Sequence, residues 1–208
     1  MSTVLSYVLV VLIGYLIGCS NLAYFIAKAK GMDIREVGTG NPGASNAMML
    51  LGWKVGILVG IHDIGKAVVA VLLCNALFPA LPFCRVVAGV ACVLGHLFPF
   101  YLSFRGGKGF ASTLGMIAAL DWRFALALGA AIVVLVLITD YIVVGTVTTV
   151  LSYPIYCLVT HQLVAAGLVA VIAAIILFKH RANFVRIFKG TEVGLRKAHR
   201  GEMRVDKE

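Results

Sequence analysis

Seven apolar runs, at roughly 4–27, 66–83, 86–104, 109–121, 124–139, 141–160 and 162–178, fill most of a 208-residue chain. About 20 apolar residues cross a hydrocarbon core of roughly 30 Å, so these runs read as membrane crossings, the shorter ones needing interfacial or protein-lined ends. With 61% hydrophobic and 13% charged residues and a mean hydropathy of +1.00, a soluble globule would expose too much apolar surface. The first run is too long for a signal-peptide core and lacks a basic flank, so it is expected to be retained. No repeat, low-complexity tract or linker interrupts the pattern. The expectation is one all-α integral membrane domain over 1–208 with about seven transmembrane helices, its chemistry confined to helix ends and short loops.

The basic residues orient that bundle. An odd number of crossings puts the termini on opposite sides. If the C-terminus is cytoplasmic, Lys28, Lys30, Arg35, Lys54, Lys66, Arg105, Lys108 and the nine Lys/Arg from Lys179 onward lie inside, and only Arg85 and Arg123 lie outside. Sixteen against two places the N-terminus outside and makes 179–208 a basic cytoplasmic juxtamembrane tail lying along the membrane surface. The net charge of +9 then belongs to topology and anionic lipid headgroups rather than to nucleic acid. The stretch 47–60 is too short to span and carries Lys54; it reads as interfacial, re-entrant or an extension of the next helix. Five cysteines without CxxC spacing sit in or beside apolar segments, as packing residues do.

On this topology four polar stretches converge at the cytoplasmic face. In the first, Asp33 to Asn46, the glycines Gly38, Gly40 and Gly43 match a dinucleotide fingerprint. That reading needs a βαβ unit, and the flanks here are membrane helices. Asn41-Pro42 reads as a helix N-cap with proline at the first helical position, whose free N–H groups would suit an anion; an ordinary inter-helix turn is the plain alternative. The second, His62 to Lys66, pairs Asp63 with Lys66 three residues on, either as a simple ion pair or as a phosphate contact. The third runs from Gly95-His96 through Pro99 to Arg105-Gly106-Gly107-Lys108-Gly109, where two cations bracket open backbone. It lacks the phosphate-loop spacing, with Gly109 where a hydroxyl would bind magnesium. His96 is either a general base or a partner of carbonyls freed by the proline break. The fourth holds Lys179, His180, Arg181, Asn183, Arg186, Gly190 and Glu192; headgroup attraction accounts for its charge but not for Asn183 or Glu192. Asp63 and Asp140 fall at predicted helix ends, so no midplane carboxylate suggests an ion-coupled transporter. No cluster has metal-ligand spacing, and the spaced aspartates of the CDP-alcohol phosphotransferases are missing.

Taken in order, these blocks resemble those of the bacterial acyl-phosphate:glycerol-3-phosphate acyltransferases, from Gly18 to Glu192. The family's blocks are similar to Asp33-Ile34-Arg35 with Gly38 to Asn46, to Asp63 to Lys66, to Gly95-His96, Pro99, Phe104 and Gly106 to Ser112, and to Lys179-His180-Arg181, Asn183, Arg186, Gly190 and Glu192. The resemblance implies seven helices with an external N-terminus. It also implies transfer of a fatty acyl group from acyl phosphate to the 1-hydroxyl of glycerol 3-phosphate, giving lysophosphatidic acid in phospholipid biosynthesis. No cofactor, coenzyme A or acyl carrier protein is implied, and no obligate protein partner is evident.

Under that resemblance Lys108, His180, Asn183 and His96 are the expected catalytic residues, with His180 or His96 the base if one exists. Arg35, Gly38, Thr39, Gly40, Asn41, Gly43, Asn46, Lys66, Gly106, Gly107, Gly109 and Thr146 are the expected phosphate-binding set. The chain departs from the family at Cys19-Ser20-Asn21, at Thr39, Ser45 and Thr146, and at Met49, where an arginine is usual; that exchange removes up to five donors. The competing expectation is a non-catalytic membrane transporter or binding protein for a small phosphorylated or lipid anion.

Overall fold

The computed structural model describes residues 2–196, so residues 197–208 of the basic tail lie outside it. The described residues form ten α-helices and no strand: α1 (Thr3–Cys19), α2 (Leu22–Ala29), α3 (Ala44–Leu51), α4 (Trp53–Leu77), α5 (Cys84–Leu97), α6 (Phe110–Leu120), α7 (Trp122–Thr139), α8 (Ile142–Val159), α9 (Leu163–Lys179) and α10 (Arg181–Phe188). With no water inside a bilayer, helices satisfy every backbone polar group internally, which is why the apolar runs take this form.

Five spans are long and apolar enough to cross: α1 with α2, α4, α5 with its 3-10 extension, α7 and α8. Helices α9 and α10 make a sixth if their 49° bend is one broken span, and α6 is apolar but only 11 residues long. The first span breaks at Ser20-Asn21, where the Tyr24 amide donates to Asn21 Oδ1 at 2.9 Å and Asn21 Nδ2 donates to the Pro42 carbonyl. Asp121 starts α7 by accepting the Arg123 and Phe124 amides, each at 3.0 Å.

Close backbone contacts fix the arrangement. A Cβ on Gly18 of α1 would strike the Cys92 backbone of α5, and one on Gly115 of α6 would strike Ile64 of α4. Small residues at helix crossings are how membrane bundles gain packing where burial from water cannot help. The main core, around Val93, Leu97, Met116, Ile117, Val150, Ile172 and Ile176, is fully enclosed, while Leu126, Val133, Leu137 and Ile138 of α7 face outward as lipid-contacting residues do.

Three features differ from the sequence reading. The second span starts at Trp53, not at 66: of the readings open for 47–60, extension of the next helix holds for 53–60, while 44–51 form the separate α3, parted from it by Gly52 at φ 95°. Asp63 and Lys66 therefore sit three to four turns inside a 25-residue helix rather than at its end. Asn41 and Pro42 do not start a helix. The Gly43 amide closes a tight turn on the Asn41 carbonyl at 2.9 Å, and Gly43 is the residue that caps α3.

Candidate active site

A cavity of about 150 Å³ opens where the 33–46 loop, the start of α6, the start of α8 and the α9–α10 junction meet. One water needs about 10–15 Å³ measured this way, so the space suits a small polar molecule. Arg85, Asp121 and His161 line a second cavity at the opposite end of the bundle. Tyr7, near the beginning of α1, donates to the Pro82 carbonyl at that far end.

Three helix N-termini face the first cavity: Gly43, Ala44 and Ser45 of α3, Gly109, Phe110 and Ala111 of α6, and Ile142 and Val143 of α8. The opening amides of a helix have no intrahelical acceptor, and the macrodipole adds positive potential at that end, so each terminus favours an anion. Lys108 and Arg186 add two cations, and Met49, Phe110, Ile142 and Val143 give the remaining wall an apolar character.

The cations are held in a chain of contacts. Lys108 Nζ donates to Asn183 Oδ1, Asn183 Nδ2 donates to Glu192 Oε1 at 2.6 Å, and Arg186 Nε donates to Glu192 Oε2 at 2.6 Å. Burial, reinforced by the Arg186 charge, pushes the Lys108 ammonium down to about 8 from 10.5. The helix that carries these partners is brought over the cavity by the bend at His180. There the ring's Nδ1 lies 2.8 Å from the Ile176 carbonyl, which can only accept. Nδ1 therefore carries the proton, and because burial pushes His180 down to about 4 the ring is neutral, leaving Nε2 bare on a residue that lines the cavity.

Of the expected site residues, Thr39, Asn41, Gly43, His96, Lys108, Gly109, Thr146, His180 and Asn183 line this space together. Thr146 keeps its hydroxyl free for it: among the described residues it makes no hydrogen bond, whereas Thr149 one turn on donates to the Gly145 carbonyl at 2.8 Å.

The others serve the walls. Asn46, fully buried, accepts the Thr39 amide and donates to the Ile34 and Val37 carbonyls, and a Cβ on Gly38 would strike its Oδ1. Gly38 and Gly40, at φ 62° and 67°, let the loop turn back over that side chain. Arg35 does not reach the cavity. It forks onto Asp33, which it holds below the usual carboxylate range, and donates to the Leu102 carbonyl at 3.0 Å, tying the first loop to the third. Lys66 is also withdrawn, with its ammonium 2.7 Å from Asp63 Oδ1 inside the helix bundle.

The Gly106 and Gly107 amides are not open donors either. They donate to the Leu97 and His96 carbonyls, at 3.2 and 3.1 Å, because Pro99 ends α5 and leaves those carbonyls unpaired. Their contribution is close approach, since a Cβ at Gly106 would meet the His96 carbonyl and one at Gly107 the His96 ring.

Arg186, Glu192, Ser45 and Asp63 line or tie the cavity without having been singled out for the site. Glu192 had one signal: lipid-headgroup attraction could not explain an acid in a basic tail. Among the described residues no three His, Cys, Asp or Glu side chains gather as a metal group, and the five cysteines are buried and unpaired.

The profile of the glycerol-3-phosphate acyltransferase family matches residues 8–190. A glycerol-3-phosphate acyltransferase from Shouchella clausii is 36% identical over 206 residues, covering 94% of this chain and 99% of that protein. Glycerol-3-phosphate acyltransferase 1 from Oceanobacillus iheyensis is 34% identical, covering 91% and 95%. The crystal structure of PlsY, an integral membrane glycerol 3-phosphate acyltransferase, in its glycerol 3-phosphate form superposes with a TM-score of 0.85 at 33% identity, covering 92% of this chain and 96% of that one. Its lysophosphatidic acid form gives 0.80 at 32% identity. Profile, relatives and fold agree over nearly the whole length, and the chain belongs to the glycerol-3-phosphate acyltransferase family.

Proposed function

We propose that this cavity transfers a fatty acyl group from acyl phosphate to the 1-hydroxyl of glycerol 3-phosphate, giving lysophosphatidic acid and inorganic phosphate. The observation that carries the reading is the convergence of three helix N-termini and Lys108 on a space with an apolar wall, where Arg186 is paired with Glu192. Both substrates bear phosphate, and the donor also bears an alkyl chain that the apolar wall and the lipid beyond can take. The hydroxyl oxygen attacks the acyl carbon, the C–O bond to phosphate breaks, and the hydroxyl proton ends on the departing phosphate. Phosphate is a good leaving group, so positioning and charge stabilisation supply most of the catalysis. Lys108 and the amides opening α6 stabilise the leaving group, Asn183 and His180 orient the acceptor, and Thr39, Asn41, Gly43 and Thr146 complete the anion sites.

The bundle forms one domain with seven crossings, α6 among them, and lies in the cytoplasmic membrane with its N-terminus outside. Arg85 lines the cavity at the far end and Arg123 adjoins Asp121 there, while on this topology the other Lys/Arg, except Lys66 within α4, belong to the opposite side, which supports a cytoplasmic active site fed by soluble glycerol 3-phosphate.

Purified protein in detergent, given palmitoyl phosphate and glycerol 3-phosphate, is expected to release phosphate and lysophosphatidic acid, and Lys108→Ala to lose that release. Phosphate release no greater than in the Lys108→Ala control, or glycerol 3-phosphate flux into sealed vesicles without product, would overturn the reading.

A further inference from the structure

Three charged or titratable side chains are buried together between α4 and α5: Asp63, Lys66 and His96 are 3%, 6% and 4% exposed. Lys66 Nζ contacts Asp63 Oδ1 at 2.7 Å, the Ser20 carbonyl at 2.7 Å and His96 Nδ1 at 2.9 Å. An ammonium has three protons and no lone pair, so its three partners must all accept. His96 Nδ1 is therefore bare. A proton there would face the ammonium of Lys66 at hydrogen-bond distance, and the Asp63 oxygen that would receive it lies further off, at 3.4 Å.

From this geometry we infer that His96 is a neutral imidazole carrying its proton on Nε2, that it presents this N–H to the cavity as a donor rather than serving as a base, and that Lys66, anchored by Asp63, sets that form. The Nε2 edge lies against Gly107, where any Cβ would collide with it, and His96 lines the cavity. Among the described residues Nε2 has no protein partner, while the residue's carbonyl accepts the Gly107 amide. The ring is thus braced from both sides, by Lys66 on Nδ1 and by the glycine turn on the backbone and the Nε2 edge. His180 has the opposite arrangement, with Nδ1–H used on a carbonyl and Nε2 bare. One imidazole offers the cavity a proton and the other a lone pair.

The recipient of the His96 proton, a phosphoryl oxygen or the oxyanion of the acyl carbon, rests on the acyl-transfer reading; the tautomer does not. Asp63 and Lys66 are positioning residues, acting through the ring. Two measurements separate the possibilities. In ¹⁵N-histidine-labelled protein in detergent, the His96 signals, identified by their loss in His96→Gln, are expected to show a protonated Nε2 and a bare Nδ1. In the double variant Asp63→Leu/Lys66→Met, which removes both buried charges together, they are expected to become a mixture of tautomers. A protonated Nδ1 in the wild type, or an unchanged Nε2–H pattern in the double variant, overturns the inference even in an active enzyme. In kinetics, glutamine can accept from Lys66 and still offer an N–H. His96→Gln should therefore keep kcat/KM within a few-fold, while His96→Ala should lose about 100-fold, as for the removal of one oxyanion donor. Equal losses in the two would mean that a proton acceptor had been removed, and the donor role fails. Absence of lysophosphatidic acid in the wild type would sink the acyl-transfer reading and leave the tautomer result standing.

Discussion

The lysine at the centre of the cavity should impose a pH limit on the reaction. Lys108 is partly buried beside Arg186, and its ammonium is pushed down to about 8 from 10.5, a cost of about 3 kcal/mol at 1.36 kcal/mol per tenfold. The sign is that of a buried cation: the charged form is present below pH 8 and is lost as pH rises through it. The second ionisation of a phosphate monoester is centred near pH 6, so the acceptor is almost wholly dianionic from about pH 7.5 upward, where the lysine titrates. If the charged lysine is the binding-competent form, kcat/KM for glycerol 3-phosphate, which reports groups in the free enzyme and free substrate, should stay within about twofold between pH 6.5 and 7.5. Above pH 8 its fall should steepen toward tenfold per unit, reaching about one-eleventh of its plateau at pH 9. The assay is initial-rate phosphate release at fixed palmitoyl phosphate, corrected for spontaneous hydrolysis, from pH 6.5 to 9.5. Lys108→Arg supplies the control, because a guanidinium keeps its charge throughout. Its plateau should be lower, since the fork does not reproduce the single contact to Asn183, but its alkaline limb should vanish. A limb at pH 8 that persists in Lys108→Arg, or a wild-type profile level to pH 9.5, would refute the assignment.

Gly107→Ala would drive a methyl into the His96 ring, which Lys66 and the enclosing helices hold in place; overpacking of this kind costs about 1–3 kcal/mol. Taken up as movement of the turn, that is about a 5- to 150-fold loss of kcat/KM with helical content unchanged by circular dichroism, and wild-type kinetics would show that the turn's position does not matter. Met49→Arg should restore donors to the cavity wall and lower the KM for glycerol 3-phosphate by about tenfold, the worth of a charged hydrogen bond; an unchanged KM would mean that residue 49 does not meet the phosphate.

The spans were legible because a bilayer demands long apolar runs, and the gathering of the polar loops was legible because sixteen of eighteen basic residues fall on one side of the topology read from the sequence, Lys66 proving the exception inside α4. The start of α4 was not. Residues 53–60 are apolar apart from Lys54, and hydropathy cannot tell a helix extension from an interfacial segment when only Gly52 marks the break. Asp63 therefore lies in the interior of α4 rather than at a helix end, and a carboxylate does stand within the bundle. The Lys66 ammonium at 2.7 Å neutralises it there. Lys66 and Arg35 looked like phosphate ligands because a sequence shows a cation's presence and not whether its charge is already engaged. Lys66's histidine partner lies 30 residues away, and one of Arg35's lies 67 away. The backbone amides posed the same difficulty: nothing in Gly106-Gly107-Lys108-Gly109 reveals that the first two N–H groups are engaged by the carbonyls that Pro99 frees.

An anion site with free helix amides can tolerate Met49 where the family resemblance implies an arginine. Side-chain cations are flexible, costly to bury and, as with Lys108, weakened by burial. Helix N-termini have none of these costs, because their dipoles are fixed by the fold and need no counter-ion when the site is empty. Three of them aimed at one cavity supply a standing positive potential that loss of a single guanidinium reduces but does not abolish. The wall at Met49 should therefore set how tightly the acceptor binds, while the starts of α3, α6 and α8 decide that something phosphorylated binds at all.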